Sequence, residues 1–320
     1  MTTQETRISV TSPLGPAIEW TKRMLFRPFD LGKWFVLGFC AWLAGLGGFH
    51  GNYHFNNRHI NGTNFRNEFE RGRDYVMENL NWILPLAIAL MILLIALGVL
   101  ILWVNSRGKF LFLHCVALDK AEVVEPWRKF ARQANSLFGF RLVLGLTGMA
   151  LTLPLLAIAG VSFFRMLLHD AWDTNGILRA SGVVLLAFLI GTVLSVIQKI
   201  TMDFVVPIMF LRGKRCWDTW SGFSTLLRSH IGKFLLYLLF QIVIAIGAII
   251  VAVVLVTCCI AGCVLALPYL GTVLLLPVLV FKRSYSLLYL AQYGREYDVF
   301  QPALPPPLFD TVPPDALPGA

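Results

Sequence analysis

Lys199 and Asp203 are the residues of this chain whose types and spacing come nearest to chemistry. Four positions apart, they share one helical face, where opposite charges pair. Inside a bilayer such a pair would serve a transport path or proton relay, because charge is costly there and is kept for a purpose. The plainer reading, favoured by the positive charge expected at cytoplasmic boundaries, is that Lys199 marks the end of a span finishing at Gln198. His50, His54 and His59 follow at spacings of four and five. His50 and His54 could share a metal on a helix, but the glycine and asparagine between them work against that geometry. His169 and Asp173 form a further i, i+4 pair. Neither group completes a ligand set, so no metal and no cofactor is expected. Of six cysteines, Cys258, Cys259 and Cys263 cluster. In an oxidising compartment they could bridge, although adjacent cysteines seldom pair with each other and small apolar packing explains them equally. The chain has no Walker-type phosphate loop, dinucleotide fingerprint, metalloprotease helix or nucleophile elbow. Those signatures carry the common mechanisms, so the expectation is a protein that is not an enzyme.

The elements that must hold these residues are membrane spans. Hydrophobic residues make up 57% of the 320-residue chain and charged ones 14%, far to the apolar side of a soluble domain. Crossing about 30 Å of hydrocarbon takes about 20 apolar residues. Trp82 to Val104, Leu142 to Phe164 and Ala180 to Gln198 are each free of charge, and Phe234 to Phe281 is one uncharged run of 48 residues. The last suits two crossings with a turn near Thr257 to Gly262. The shortest span, Trp34 to Phe49, reaches full length by continuing towards Tyr53. The expected fold is all-α, a polytopic membrane helix bundle of six transmembrane helices. A transmembrane barrel would alternate polar and apolar residues in segments of about ten. A cleaved signal peptide is not expected either, because 33 residues with five basic groups precede the first apolar run.

Three tryptophans stand twelve residues before a glycine that opens an apolar run: Trp20 to Gly32, Trp127 to Gly139 and Trp220 to Gly232. The interval predicts three hairpin-like repeats, each led by an amphipathic helix lying in the membrane interface. In the second copy Trp127, Phe130, Ala134, Leu137 and Phe138 fall at helical spacing; in the third Trp220, Phe223, Leu227 and Ile231 do. Ser12 before Pro13 predicts the cap of the first lead-in helix. Each return span is expected to end in a polar break, at Asn105 to Lys109, Gln198 to Asp203 and Lys282 to Ser284, followed by a second, interfacial apolar stretch. Tyr285, Tyr289, Tyr293 and Tyr297 recur every four residues after the last break. With Trp20, Trp127 and Trp220, the tyrosines Tyr285, Tyr289 and Tyr293 are expected to be interfacial anchors. Gly191, Gly247 and Gly271 are expected where helices approach closely.

Charge sets the orientation. With a cytoplasmic N-terminus, 20 of the 27 Lys and Arg residues fall in cytoplasmic segments and six in the two long outer connections, the bias that the positive-inside rule requires. The acidic residues of both outer connections balance their basic ones, so the formal charge of +9 lies on the cytoplasmic side. The expected location is the cell membrane, multi-pass, with both termini cytoplasmic. The expected partners are membrane lipids with anionic head groups and unidentified proteins; nucleic acid is not expected in so apolar a chain. Residues 1–11 are expected to form a flexible N-terminus, 12–298 the helical membrane domain and 299–320 a proline-rich disordered tail. The function expected is that of a non-enzymatic membrane scaffold or lipid-interacting protein. The alternative is a transporter or lipid-handling protein in which Arg107, Lys199 and Lys282 surround a cytoplasm-facing polar cavity.

The tryptophan-led segments Trp127 to Gly139 and Trp220 to Gly232, together with the exit around Lys282 to Tyr289, resemble the membrane domain of glycerophosphodiester phosphodiesterases and their uncharacterised multi-pass relatives. The resemblance covers roughly residues 105 to 295. It implies a membrane helical fold. In those phosphodiesterases it also implies a separate soluble catalytic barrel, which takes about 250 residues and does not fit beside the spans. The resemblance therefore implies architecture and no hydrolase activity.

Overall fold

The computed structural model describes residues 8–46, 71, 75, 77–169, 174–257 and 268–300. Among these the backbone is helical with short connections and no strand. The order is α1 (Leu14–Phe26), α2 (Leu31–Gly45), α3 (Leu80–Leu118), α4 (Val124–Lys129), α5 (Ala131–His169), α6 (Thr174–Ile200), a π turn (Thr201–Val205), α7 (Val206–Arg212), α8 (Cys216–Ser229), α9 (Ile231–Thr257), α10 (Pro268–Leu274) and α11 (Leu276–Ala291). Helix is what these apolar runs must form if they enter hydrocarbon, where each backbone group has to be satisfied within its own segment.

Among the described residues four helices are long and apolar enough to cross a membrane: α3, α5, α6 with its continuation through α7, and α9. Their most apolar stretches are almost uncovered by protein, and in α3 none of that stretch is buried. Leu93 is 62% exposed and Leu239 60%. Leaving such a side chain in water forgoes about 1.5–3 kcal/mol each, so a surface built of them is stable only in an apolar medium. α2, with 15 residues, spans about 22 Å at about 1.5 Å per residue and falls short of a full crossing. The expected continuation of this span towards Tyr53 and the turn near Thr257 to Gly262 lie largely outside the described residues, as do the proline-rich residues after Phe300.

The lower third of the molecule has the opposite character. α3 runs for 39 residues, about 58 Å at about 1.5 Å per residue, and changes environment at Asn105. Before it the side chains are mostly exposed; from Asn105 to Ala117 they are mostly buried. The expected polar break at Asn105 to Lys109 therefore does not interrupt the helix. The following stretch is covered by protein: Phe110, Leu111, Leu113 and Val116 are core residues, as are Phe204, Val205, Ile208 and Met209 and, after the last polar segment, Leu287, Tyr289 and Leu290. The stretches after the three polar segments are thus turned into protein. There α3 contacts α7 and α11, the π turn contacts α11, and α1 packs along α11.

Close approach fixes the α2 and α3 pair. A Cβ on Gly108 would lie 2.6 Å from the Ala44 nitrogen and 2.8 Å from Leu43 Cβ, so the crossing requires glycine. At the N-terminus of α2, Asp30 accepts from Gly32 N at 2.8 Å and caps the helix. Lys33 and Asp119 form an ion pair at 2.8 Å that ties the start of α2 to the end of α3.

Three local expectations are corrected. Ser12 does not cap α1; its hydroxyl donates to Ser9 O, and Leu14 N donates to Thr11 O. Residues 8–11 are held to the fold, because Gln292 on α11's C-terminal side accepts from Ser9 N at 2.8 Å and donates to Ser9 O at 3.0 Å. The Trp127-led segment is also divided: α4 ends at Lys129, and α5 begins at Ala131 and continues without interruption into the membrane-length stretch.

Candidate functional site

A polar layer lies where the exposed stems meet the buried lower part. Its centre is the π turn after α6. Asp203 sits on that turn, 7% exposed, and its Oδ2 meets Lys199 Nζ at 2.7 Å. The i, i+4 pair read from the sequence is therefore formed. Two residues of α9, also four apart, complete it: the Tyr237 hydroxyl donates to Asp203 Oδ2 at 3.0 Å, and Gln241 Nε2 donates to the Tyr237 hydroxyl at 2.7 Å. Arg283 of α11 donates through Nη1 to Met202 O at 2.8 Å, and Trp220 of α8 donates through Nε1 to Thr201 Oγ1 at 3.2 Å. Four elements thus grip one turn. A π turn widens the helix and is common at sites that must aim side chains.

A second network adjoins it on α3 and α5. Arg141 Nη1 donates to Asn105 Oδ1 at 2.6 Å and to Ser106 Oγ at 3.2 Å. Asn105 Nδ2 in turn donates to Ala44 O at 2.7 Å and Leu43 O at 3.3 Å, meeting carbonyls that the end of α2 leaves open. Lys109 lies within electrostatic reach of Arg141, Arg283, Lys199 and Asp203, and Lys282 within reach of Lys199 and Asp203. Asp203 is thus the carboxylate facing a belt of five cations. Arg141 Nε and Arg283 Nε and Nη2 are buried with no hydrogen-bond partner, so the belt is rich in unspent donors.

Beside this layer a cleft of about 950 Å³ opens between α6 and α9. Phe188, Gly191, Leu238 and Ala245 form part of its apolar wall; Thr192, Ser195, Lys199, Gln241 and Lys282 supply its polar residues. A Cβ on Gly191 would meet nothing within 4 Å, so the close helix approach expected there does not occur.

The remaining residues expected to act are placed as follows. Trp20 Nε1 donates to Val116 O at 3.1 Å, and its ring lies 4.7 Å from that of Phe300. Trp127 is half-buried beside Trp103, with the Arg107 guanidinium 5.0 Å and 4.5 Å from their ring centres, a cation–π arrangement. Trp220 binds the π turn. The tyrosine stripe is corrected at two positions. Tyr285 is fully buried and Tyr289 is 1% exposed, so neither is accessible as an interfacial anchor; their hydroxyls donate to Val10 O at 2.9 Å and Lys233 O at 3.0 Å. Tyr293 is half-buried, stacked 5.1 Å from Phe234, and burial raises its phenol above the ordinary range. The residues expected to turn outward thus tie α11 to the N-terminal segment and to α9.

His50, His54, His59, Asp173, Cys258, Cys259 and Cys263 lie outside the described residues, as does the His169 side chain. Among the described residues no group of three potential metal ligands occurs. Sequence reasoning missed Tyr237, Gln241, Arg141 and Asn105. The signal for the α9 pair was present: a tyrosine and a glutamine at i, i+4 within a run otherwise devoid of charge.

Residues 8–276 match the DUF7544 family, a family of unknown function, and the chain belongs to that family. No curated protein and no solved structure matches it.

Proposed function

We propose that this DUF7544 member is a multi-pass protein of the cell membrane, without catalytic activity, that binds and organises anionic lipid on the cytoplasmic side. The observation that carries the reading is the division between apolar stems that protein leaves uncovered and a basic polar layer directly beneath them. The stems need hydrocarbon, and cations at that depth attract anionic head groups. In this reading six helices cross in three hairpin-like pairs. Both termini face the cytoplasm, because that orientation puts 20 of the 27 basic residues inside. The resemblance to phosphodiesterase membrane domains fits this architecture and lends it no activity.

A lipid-handling role is the second reading, and the cleft between α6 and α9 favours it, since cleft and cations share Lys199 and Lys282. The lipid-binding proposal is tested by adding phosphatidylglycerol or phosphatidylcholine to delipidated protein in mild detergent and following unfolding by tryptophan fluorescence. Both lipids raise the unfolding midpoint, the anionic one more. A midpoint unmoved by either would contradict the proposal.

A further inference from the structure

We infer that the cleft between α6 and α9 seats a single anionic phospholipid, with its acyl chains along the apolar wall and its phosphate on Lys282 and Lys199. The inference rests on the lipid-binding reading and names the ligand class and place. At about 950 Å³ the cleft is at the upper end of the range of small-molecule sites, and it has their composition, apolar walls with few polar groups. Phe188 and Lys199 are eleven residues apart on α6, about 16 Å along the axis. The apolar wall therefore runs from the exposed stem down to the polar layer, the direction in which a lipid lies in its leaflet.

Charge selects the occupant. Lys199 is matched by Asp203, whereas Lys282 makes no ion pair or hydrogen bond among the described residues. The mouth of the cleft thus carries uncompensated positive charge, and a ligand with net negative charge gains more there than a zwitterionic one. A second copy of the chain does not meet the requirement. Its uncharged runs, Trp82 to Val104, Leu142 to Phe164, Ala180 to Gln198 and Phe234 to Phe281, contain no carboxylate to offer Lys282. A phospholipid offers both parts, chain and phosphate, in one molecule.

The test uses the full chain in nanodiscs made of equal parts of phosphatidylglycerol and phosphatidylcholine, released for native mass spectrometry. The wild type retains one phosphatidylglycerol in preference to phosphatidylcholine. Lys282→Ala lowers that preference about fivefold, the loss of one lysine's attraction at a membrane surface. Gly191→Phe, which enters open space and leaves both lysines in place, abolishes retention of the lipid. Both variants have an unfolding midpoint in lipid-free detergent no lower than the wild type's, which separates the effect from misfolding. Retention without head-group preference, or a preference unchanged in both variants, overturns the seat while leaving general lipid binding intact. Failure of the wild type to retain lipid, together with a midpoint that lipid does not move, overturns both.

Discussion

The Tyr237 hydroxyl and the Lys199 ammonium meet on one oxygen of Asp203, at 3.0 Å and 2.7 Å. That oxygen joins α9 to the end of α6, the two helices that line the cleft. The polar layer is therefore a fastening between α9 and α6, whereas along its length α6 packs on α5.

Removing the carboxylate leaves Lys199 and the Tyr237 hydroxyl without their acceptor. Because the Lys199 side chain is a third exposed, Asp203→Ala should destabilise the protein by about 1–3 kcal/mol, the cost of leaving buried hydrogen-bonding groups without their acceptor. Replacing both partners, with Lys199→Met and Asp203→Leu, should cost less than Asp203→Ala alone. Denaturant unfolding in detergent, arranged as a double-mutant cycle, measures the difference.

Tyr237→Phe deletes one hydroxyl and leaves Gln241, whose Oε1 is already without a partner, with no acceptor for Nε2. The expected loss is about 1–3 kcal/mol. The same unfolding assay checks it, and added Gln241→Leu should recover part of the loss.

Two glycines should respond in opposite ways. Gly108→Val drives a side chain into the Leu43 and Ala44 backbone and should cost about 1–3 kcal/mol or more. Gly191→Ala meets open space and should stabilise α6 by up to about 1 kcal/mol through helix propensity. Paired unfolding midpoints report both.

Cys216, in the connection between membrane-length helices, is buried, and burial pushes its thiol up to about 12. Its reactive thiolate is scarce at neutral pH, so alkylation by iodoacetamide of the folded protein should be very slow at pH 8 and accelerate with each unit of pH towards 12. Because the folded value lies above the unfolded one, the thiol also favours the folded state less as pH rises past about 9. Peptide mass mapping of alkylated Cys216 before and after denaturation tests the first of these directly.

Much of the architecture could be read in the sequence because hydrocarbon imposes it. Long uncharged runs must become helix, and α3, α5, α6 and α9 coincide with four of them. Lys199 and Asp203 were legible for a similar reason, since a four-residue spacing pairs charges whatever else happens. The rest depended on contacts between segments distant in sequence. Spacing showed that Tyr285, Tyr289 and Tyr293 share a face, but not that α1 and α9 would cover it. Asn105 reads as the start of a polar break until its partners at Leu43 and Ala44 are known. The π turn was invisible, because nothing in Thr201 to Val205 favours it over ordinary helix; Arg283 and Trp220 hold it from other elements.

The central claim is tested most directly by a structure of the protein determined in a nanodisc containing phosphatidylglycerol. The account predicts α6 and α9 apart above the polar layer, with elongated density along Phe188 and Ala245 ending against Lys282 and Lys199. Direct packing of α6 on α9, with the cleft closed and Lys282 turned to water, would contradict it.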